Sequence, residues 1–223
     1  MTLLHACGLP DTVWLASQSP RRKALLETLG LGVQVFLPHT GAAAEALEAP
    51  LPGEAALAYV RRVTSLKLDA AVNAMITQGI TGGVVLAADT TVALGDTILG
   101  KPADAGEARS TLRSLSDTQH AVHTGVAVAA LGHRLRTGFL QPMVCVQTST
   151  VAVQALPEAF IDAYINSGEP FDKAGAYGIQ GVFGQWVSHI SGSHSGIMGL
   201  PVFETSALLR QAWALETSLS NTQ

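Results

Sequence analysis

An α/β domain is the fold class that this sequence predicts, and three observations predict it. A short apolar run, Val13-Trp14-Leu15-Ala16, leads into a helix with both ends marked and then into a second apolar run. Val84 to Ala88 is almost unbroken apolar sequence, the pattern of a strand covered on both faces. Amphipathic segments of helical spacing alternate with these runs along the chain. The 223 residues fit one domain with room for two lobes and can bury a sizeable core. With 48% of residues apolar and 13% charged, the composition excludes a disordered chain. A net charge of -4 carries no basic excess, so nothing in the bulk composition calls for a nucleic-acid partner. No apolar run approaches the roughly 20 residues that a membrane span needs. Cys7 and Cys145 stand far apart and fit no metal or redox spacing, so both are expected to stay reduced, as in a cytoplasmic protein.

Residues 1–11 read as a loose N-terminal extension, and Leu3 to Leu9 has neither the basic flank nor the cleavage site of a signal peptide. Ser19 is a good N-cap, Pro20 suits the first helical position, and the helix runs to Leu29 and stops at Gly30. A strand that turns into a capped helix offers backbone N–H groups to an anion, and Arg21-Arg22 adds two planar forks. Two solvated arginines on an ordinary strand–turn–helix would look the same. Val33 to Leu37 predicts a strand, and the alanine- and proline-rich stretch 39–53, which holds Glu45 and Glu48, predicts a loop with a short helical piece. Glu54 to Ala74 predicts a helix with Leu57, Val60, Val63 and Leu66 on one side and Lys67 toward its end.

The strand Val84–Ala88 is expected to end at Asp89-Thr90-Thr91, before a hairpin through Gly95-Asp96 to Ile98-Leu99. A carboxylate after a buried strand sits where α/β sheets bind ligands, although a turn cap has the same pattern. Lys101 follows closely, either near the same ligand or simply on the surface. A helix over 104–115 precedes a strand that begins at His120. His120 and His123 would face opposite sides of it, which argues against a shared metal site. Strands are predicted over Leu135–Leu140, Met143–Val153 and Trp186–Ile190, and helices over 157–167 and from Pro201 to about Leu215. Between them, residues 169–181 form a glycine-rich stretch that carries Asp172-Lys173 and Gln180. This is either a connector or backbone shaped to approach a ligand, with an amide suited to reading a base edge.

Ser17-Gln-Ser-Pro-Arg-Arg22, Ala88-Asp-Thr90, Gly100-Lys-Pro102, Asp172-Lys-Ala-Gly-Ala-Tyr-Gly-Ile-Gln-Gly181 and Gly199-Leu-Pro201, in that order, resemble the Maf family of nucleoside triphosphate pyrophosphatases. The resemblance spans most of the chain and implies a single Maf-like domain over 1–223. The implied fold is a mixed sheet with flanking helices and two lobes around a cleft, similar to inosine triphosphate pyrophosphatases. It implies cleavage of a nucleoside triphosphate to the monophosphate and pyrophosphate with a divalent cation, Mg²⁺ or Mn²⁺, in a cytoplasmic homodimer that binds neither nucleic acid nor membrane.

By the same resemblance Asp89 is the proton acceptor and a metal ligand. Ser17, Arg22, Lys67, Lys101 and Lys173 line the phosphate site. The family's upstream glutamate falls on Glu48, with Glu45 as the alternative, and completes the metal site. Arg21, Thr90 and Gln180 match the branch that acts on dTTP and UTP and are the expected specificity residues. His123 and His194 stand where the family has Tyr, and Asp117 where it has Gly. Two other functions are compatible with the resemblance: house-cleaning of modified nucleotides, and a nucleotide-binding regulator of cell division and septum formation without essential turnover.

Overall fold

The computed structural model describes residues 3–38, 46–138, 140 and 142–218. In chain order they form α1 (Leu3–Ala6), β1 (Thr12–Leu15), α2 (Pro20–Thr28), β2 (Gly32–Val35), α3 (Ala56–Thr77), β3 (Val84–Leu94) and β4 (Thr97–Leu99). There follow α4 (Ala105–Leu115), β5 (Gln119–Ala130), α5 (Leu131–Thr137), β6 (Met143–Val153), α6 (Glu158–Asn166), β7 (Val187–Ser191), α7 (His194–Ile197) and α8 (Val202–Thr217). Short 3₁₀ turns occupy Glu169–Asp172, Ala174–Ala176 and Val182–Trp186.

The strands make one mixed sheet in the order β2-β1-β3-β5-β6-β7, with β4 beside β3. β1 runs parallel to β2 and β3, and the remaining pairs are antiparallel. The first half of β3 explains its unbroken apolar sequence. Val85 and Ala87 pack with Leu68, Val72 and Met75 of α3. Leu86 and Ala88 pack on the opposite face with Leu26 and Leu209. A separate cluster, with Val92, Leu112, Val122, Val151, Ile161 and Phe183, fills the other end of the sheet. The two ends are the two lobes, and β3 and β5 run through both.

Local chemistry accounts for the helices. Ser19 Oγ accepts from Arg22 N at 3.4 Å with Pro20 at the first position of α2, and Asp104 Oδ1 accepts from Glu107 N at 2.8 Å to start α4. On α3, Val60, Val63 and Leu68 are inside, but Leu57 and Leu66 are 51% and 38% exposed. Successive steps of three residues drift by about 60° each, so the predicted stripe leaves the buried face. The real face alternates steps of three and four, through Thr64, Leu68, Ala71, Val72 and Met75.

Other expectations are corrected. Residues 3–11 are not a loose extension throughout: Leu3–Ala6 is a helical turn and Leu9, 5% exposed, joins the core beside Leu26 and Leu31. β3 does not end at Asp89 but continues to Leu94, because its other edge stays paired with β5 from Val84 to Ala93. No strand forms over Leu135–Leu140 among the described residues there. Instead α5 begins at Leu131, where Glu216 of α8 accepts from the backbone N–H groups of Gly132 (2.9 Å) and His133 (3.3 Å). It ends at Gly138 in the left-handed region. Glu45 and the first part of the 39–53 stretch lie outside the described residues. Described residues include no helix long and apolar enough to cross a membrane.

Candidate active site

The sheet opens where the site forms. β1 pairs with β3 only as far as Leu86, whose C=O accepts from Ala16 N at 2.8 Å, and β4 takes up the same edge from Val92. Period-two geometry turns the backbone of Ala88 and Thr90 toward the gap. The side chains of Asp89 and Thr90 leave on opposite faces, yet both line a cavity of about 670 Å³ that wraps around the open edge. Asp89 is thus beside the carboxyl end of β1, not of its own strand. The resulting site still lies at the mouth of a parallel pair, where the general rule for α/β sheets puts ligands.

On the α3 face, Lys67 Nζ lies 2.5 Å from Glu48 Oε1 and 2.7 Å from Asp89 Oδ1. The three side chains are largely removed from solvent, at 17%, 35% and 11% exposure in the order Lys67, Glu48, Asp89. Burial pushes the Glu48 carboxyl up, but the charge and hydrogen bond of Lys67, with Lys101 and Arg22 behind them, outweigh it and hold Glu48 below the ordinary range. Two carboxylates held around one ammonium supply hard oxygen donors. Such a pair fits a Mg²⁺ or Mn²⁺ ion that completes its shell with water and substrate phosphate oxygens. Among the described residues, no group of three or more His, Cys, Asp or Glu side chains offers a closed metal cage.

The opposite face is basic. Ser17, 9% exposed, accepts from Ser19 N at 3.2 Å and from Arg22 Nη1 at 3.0 Å. Arg22 also donates from Nε to Gly199 O at 2.8 Å and from Nη2 to Thr90 Oγ1 at 3.2 Å. Burial lowers its pKa, Asp89 opposes the shift, and the guanidinium stays charged. Among the described residues three of its five N–H donors are engaged, so Arg22 clamps the turn after β1, β3 and the 199 turn together.

Arg21 and Lys173 converge on one carboxylate. Arg21 Nη1 is 3.1 Å from Asp172 Oδ2, and Lys173 Nζ is 2.5 Å from Asp172 Oδ1 and 2.6 Å from Glu169 O. Burial would raise Asp172, but the hydrogen bonds from Lys173 and Arg21 win and keep its carboxyl below the usual range. Lys101 and Gln180, both exposed, also stand on the cavity wall.

The structure therefore brings Ser17, Arg21, Arg22, Glu48, Lys67, Asp89, Thr90, Lys101, Lys173 and Gln180 to one cavity. Of the glycines of 169–181, Gly178 lines the cavity, whereas Gly175 and Gly181 are required by packing. Gly175 sits at φ +70, where an added Cβ would come within 2.9 Å of Val92, and a Cβ on Gly181 would overlap the Glu169 carboxylate. Asp172 lay inside a motif noticed in the sequence, but its hold on Arg21 depends on a contact 151 positions away. Tyr59 also lines the cavity, and its signal was the spacing of 59, 63 and 67 on one helix. Of the departures from the family pattern, His194 is exposed and outside the cavity wall, whereas His123 Nδ1 meets Thr148 Oγ1 at 2.9 Å.

Residues 12–212 match the model of a family described as Maf-like protein. The chain is 48% identical over 202 residues to a dTTP/UTP pyrophosphatase of Albidiferax ferrireducens, covering 91% of this chain and 97% of the relative. It is 50% identical over 205 residues to one from Burkholderia lata (92% and 95%), and 50% identical over 202 residues to one from a Polaromonas species (91% and 96%). Among solved structures, a nucleoside-triphosphatase / dITP/XTP pyrophosphatase from Mycobacterium abscessus aligns with 66% of this chain and 76% of its own. Its TM-score of 0.37 and 14% identity are too slight a likeness to build on.

Proposed function

The chain belongs to the Maf-like protein family, and from that premise we propose that it hydrolyses nucleoside triphosphates, dTTP and UTP foremost and modified pyrimidine nucleotides with them, to the monophosphate and pyrophosphate. The observation that carries this reading is Lys67 set between Glu48 and Asp89, facing Arg21, Arg22, Lys101 and Lys173 across one cavity. At about 670 Å³ the cavity falls within the usual range for small-molecule sites.

In this reading Asp89 takes a proton from the attacking water. Lys67 holds Oδ1, which leaves Oδ2 to face the water. A divalent cation, Mg²⁺ or Mn²⁺, held by Glu48 and Asp89 would neutralise phosphate charge and lower the pKa of a bound water. Arg21, Lys101, Lys173, the remaining donors of Arg22 and the Arg21 backbone N–H in the first turn of α2 receive the pyrophosphate charge. Thr90, Arg21 and Gln180 border the substrate and set which base is accepted. A cytoplasmic homodimer that binds no nucleic acid completes the proposal. A regulator without turnover is not favoured, since the relatives are pyrophosphatases by name.

The test is pyrophosphate release across normal and modified triphosphates with Mg²⁺ or Mn²⁺, for the native chain and for Asp89→Asn. dTTP, UTP or their modified forms should lead the ranking, and Asp89→Asn should lose at least about a hundredfold in turnover with its fold intact. Absence of release from every nucleotide would reject the enzyme reading, and full activity of Asp89→Asn would reject the assigned base.

A further inference from the structure

Glu48 sits on a turn, and from there to Gly53 the chain has neither helix nor strand. A carboxylate on such a segment is only as well placed as the backbone that carries it. Among the described residues, side chains of one helix hold this backbone at Glu48 and Ala49. Tyr59 OH donates to the C=O of Glu48 itself at 2.8 Å. Arg62 Nη2 donates to the C=O of the next residue, Ala49, at 3.0 Å. The Arg62 fork also holds Glu54, with Nε to Oε1 and Nη2 to Oε2 both at 2.6 Å, and Glu54 Oε2 in turn accepts from Leu51 N at 3.2 Å. The Arg62 guanidinium lies 5.6 Å from the centre of the Tyr59 ring, which holds both side chains on one side of α3.

These bonds attach residues 48, 49, 51 and 54 to α3, the helix that also carries Lys67. Neither Glu54 nor Arg62 lines the cavity, so neither has a part in holding substrate. Their geometry is that of a bidentate pair whose carboxylate is only 9% exposed.

We infer that Tyr59, Glu54 and Arg62 are positioning residues, which fasten segment 48–54 to α3 so that the Glu48 carboxylate meets Lys67 across from Asp89. The inference rests on the pyrophosphatase reading of the site and assigns to it one residue of the cavity wall, Tyr59, and two outside it, Glu54 and Arg62. Residues that orient a metal-binding carboxylate typically affect metal affinity or activity by about 10–100-fold when removed.

Tyr59→Phe deletes one hydroxyl and keeps the ring, and Arg62→Met keeps the stem without the fork. Each should lower dTTP turnover about tenfold with KM changed less than about twofold, and should weaken Mn²⁺ binding, followed by electron paramagnetic resonance with a non-hydrolysable nucleotide, by a similar factor. Arg62→Lys keeps the charge without the bidentate grip and should fall between Arg62→Met and the native chain. Thermal unfolding of all three separates a shifted carboxylate from a damaged fold. Native Mn²⁺ affinity and turnover in both Tyr59→Phe and Arg62→Met overturn the inference. Glu48→Gln, measured beside them, tells which premise failed. If it loses Mn²⁺ binding and turnover while the other variants keep both, only the positioning role is wrong. If it too behaves as the native chain, the site reading itself is wrong.

Discussion

His120 is 3% exposed on β5, its Nε2 lies 2.7 Å from the Tyr177 hydroxyl, and its Nδ1 is buried with no partner among the described residues. Burial pushes its pKa down to about 4, against about 6.5 for a free imidazole. The folded value is the lower one, so the unfolded chain takes up the proton first as pH falls. The neutral ring's contribution to stability is complete above pH 6.5 and is lost between 6.5 and 4, by up to about 3 kcal/mol. Urea unfolding at pH 7, 6 and 5 should show this slope. His120→Gln, which can still hydrogen-bond Tyr177, should flatten it relative to the native chain, with the carboxylate contributions common to both. Equal slopes would assign the acid sensitivity elsewhere. The sequence allowed only a negative statement about this residue, that its strand face differs from that of His123. Its partner is a tyrosine 57 positions away, and no spacing rule reaches that far.

At the scale of elements, patterns were legible where the deciding interactions are local. Ser19-Pro20 gave α2 its start, and the i, i+4, i+7 apolar positions of α4 gave it a buried face through Ala108, Leu112 and Leu115. α5 was not legible, because its N-terminus is capped from another element. Glu216 accepts from Gly83 N at 2.7 Å and from the first N–H groups of α5, so it joins the start of β3 to the end of β5. Read without that carboxylate, Leu135 to Leu140 passes for a strand ahead of Met143–Val153. The same contact predicts a stability effect. Glu216→Ala leaves these donors without their acceptor and removes a negative charge from a helix N-terminus. It should cost about 2 kcal/mol in denaturant unfolding. Turnover should be unchanged, because Glu216 is outside the cavity wall. A loss below about 0.5 kcal/mol would mean that water replaces the cap without penalty.

At the scale of the whole molecule, the motifs named most of the site but not why it is a site. Asp89 and Thr90 are adjacent in sequence and face opposite ways. They share a cavity because β1 and β4 leave an unpaired interval on the same edge of β3. That register is a property of three strands together, and only the family resemblance brought its consequence into view. The cleft has one further feature of this scale. Arg21 belongs to the wall built on α2 and Asp172 to the wall packed with the second lobe, and their ion pair spans the opening. Asp172 also neutralises Lys173, so in this state it occupies the two cations that the proposed pyrophosphate needs. An arriving triphosphate must displace a carboxylate that is 64% exposed, and an exposed pair of this kind contributes no more than about 1 kcal/mol to stability. Asp172→Asn should therefore leave unfolding nearly unchanged. It should lower KM for dTTP and strengthen inhibition by pyrophosphate, each by about three- to tenfold at low salt, with the difference shrinking as salt screens the freed cations. Steady-state kinetics with added pyrophosphate at two ionic strengths measures both effects. An unchanged inhibition constant would show that Arg21 and Lys173 meet the product without first leaving Asp172, and the ion pair would then be a strut between the lobes and no competitor of the substrate.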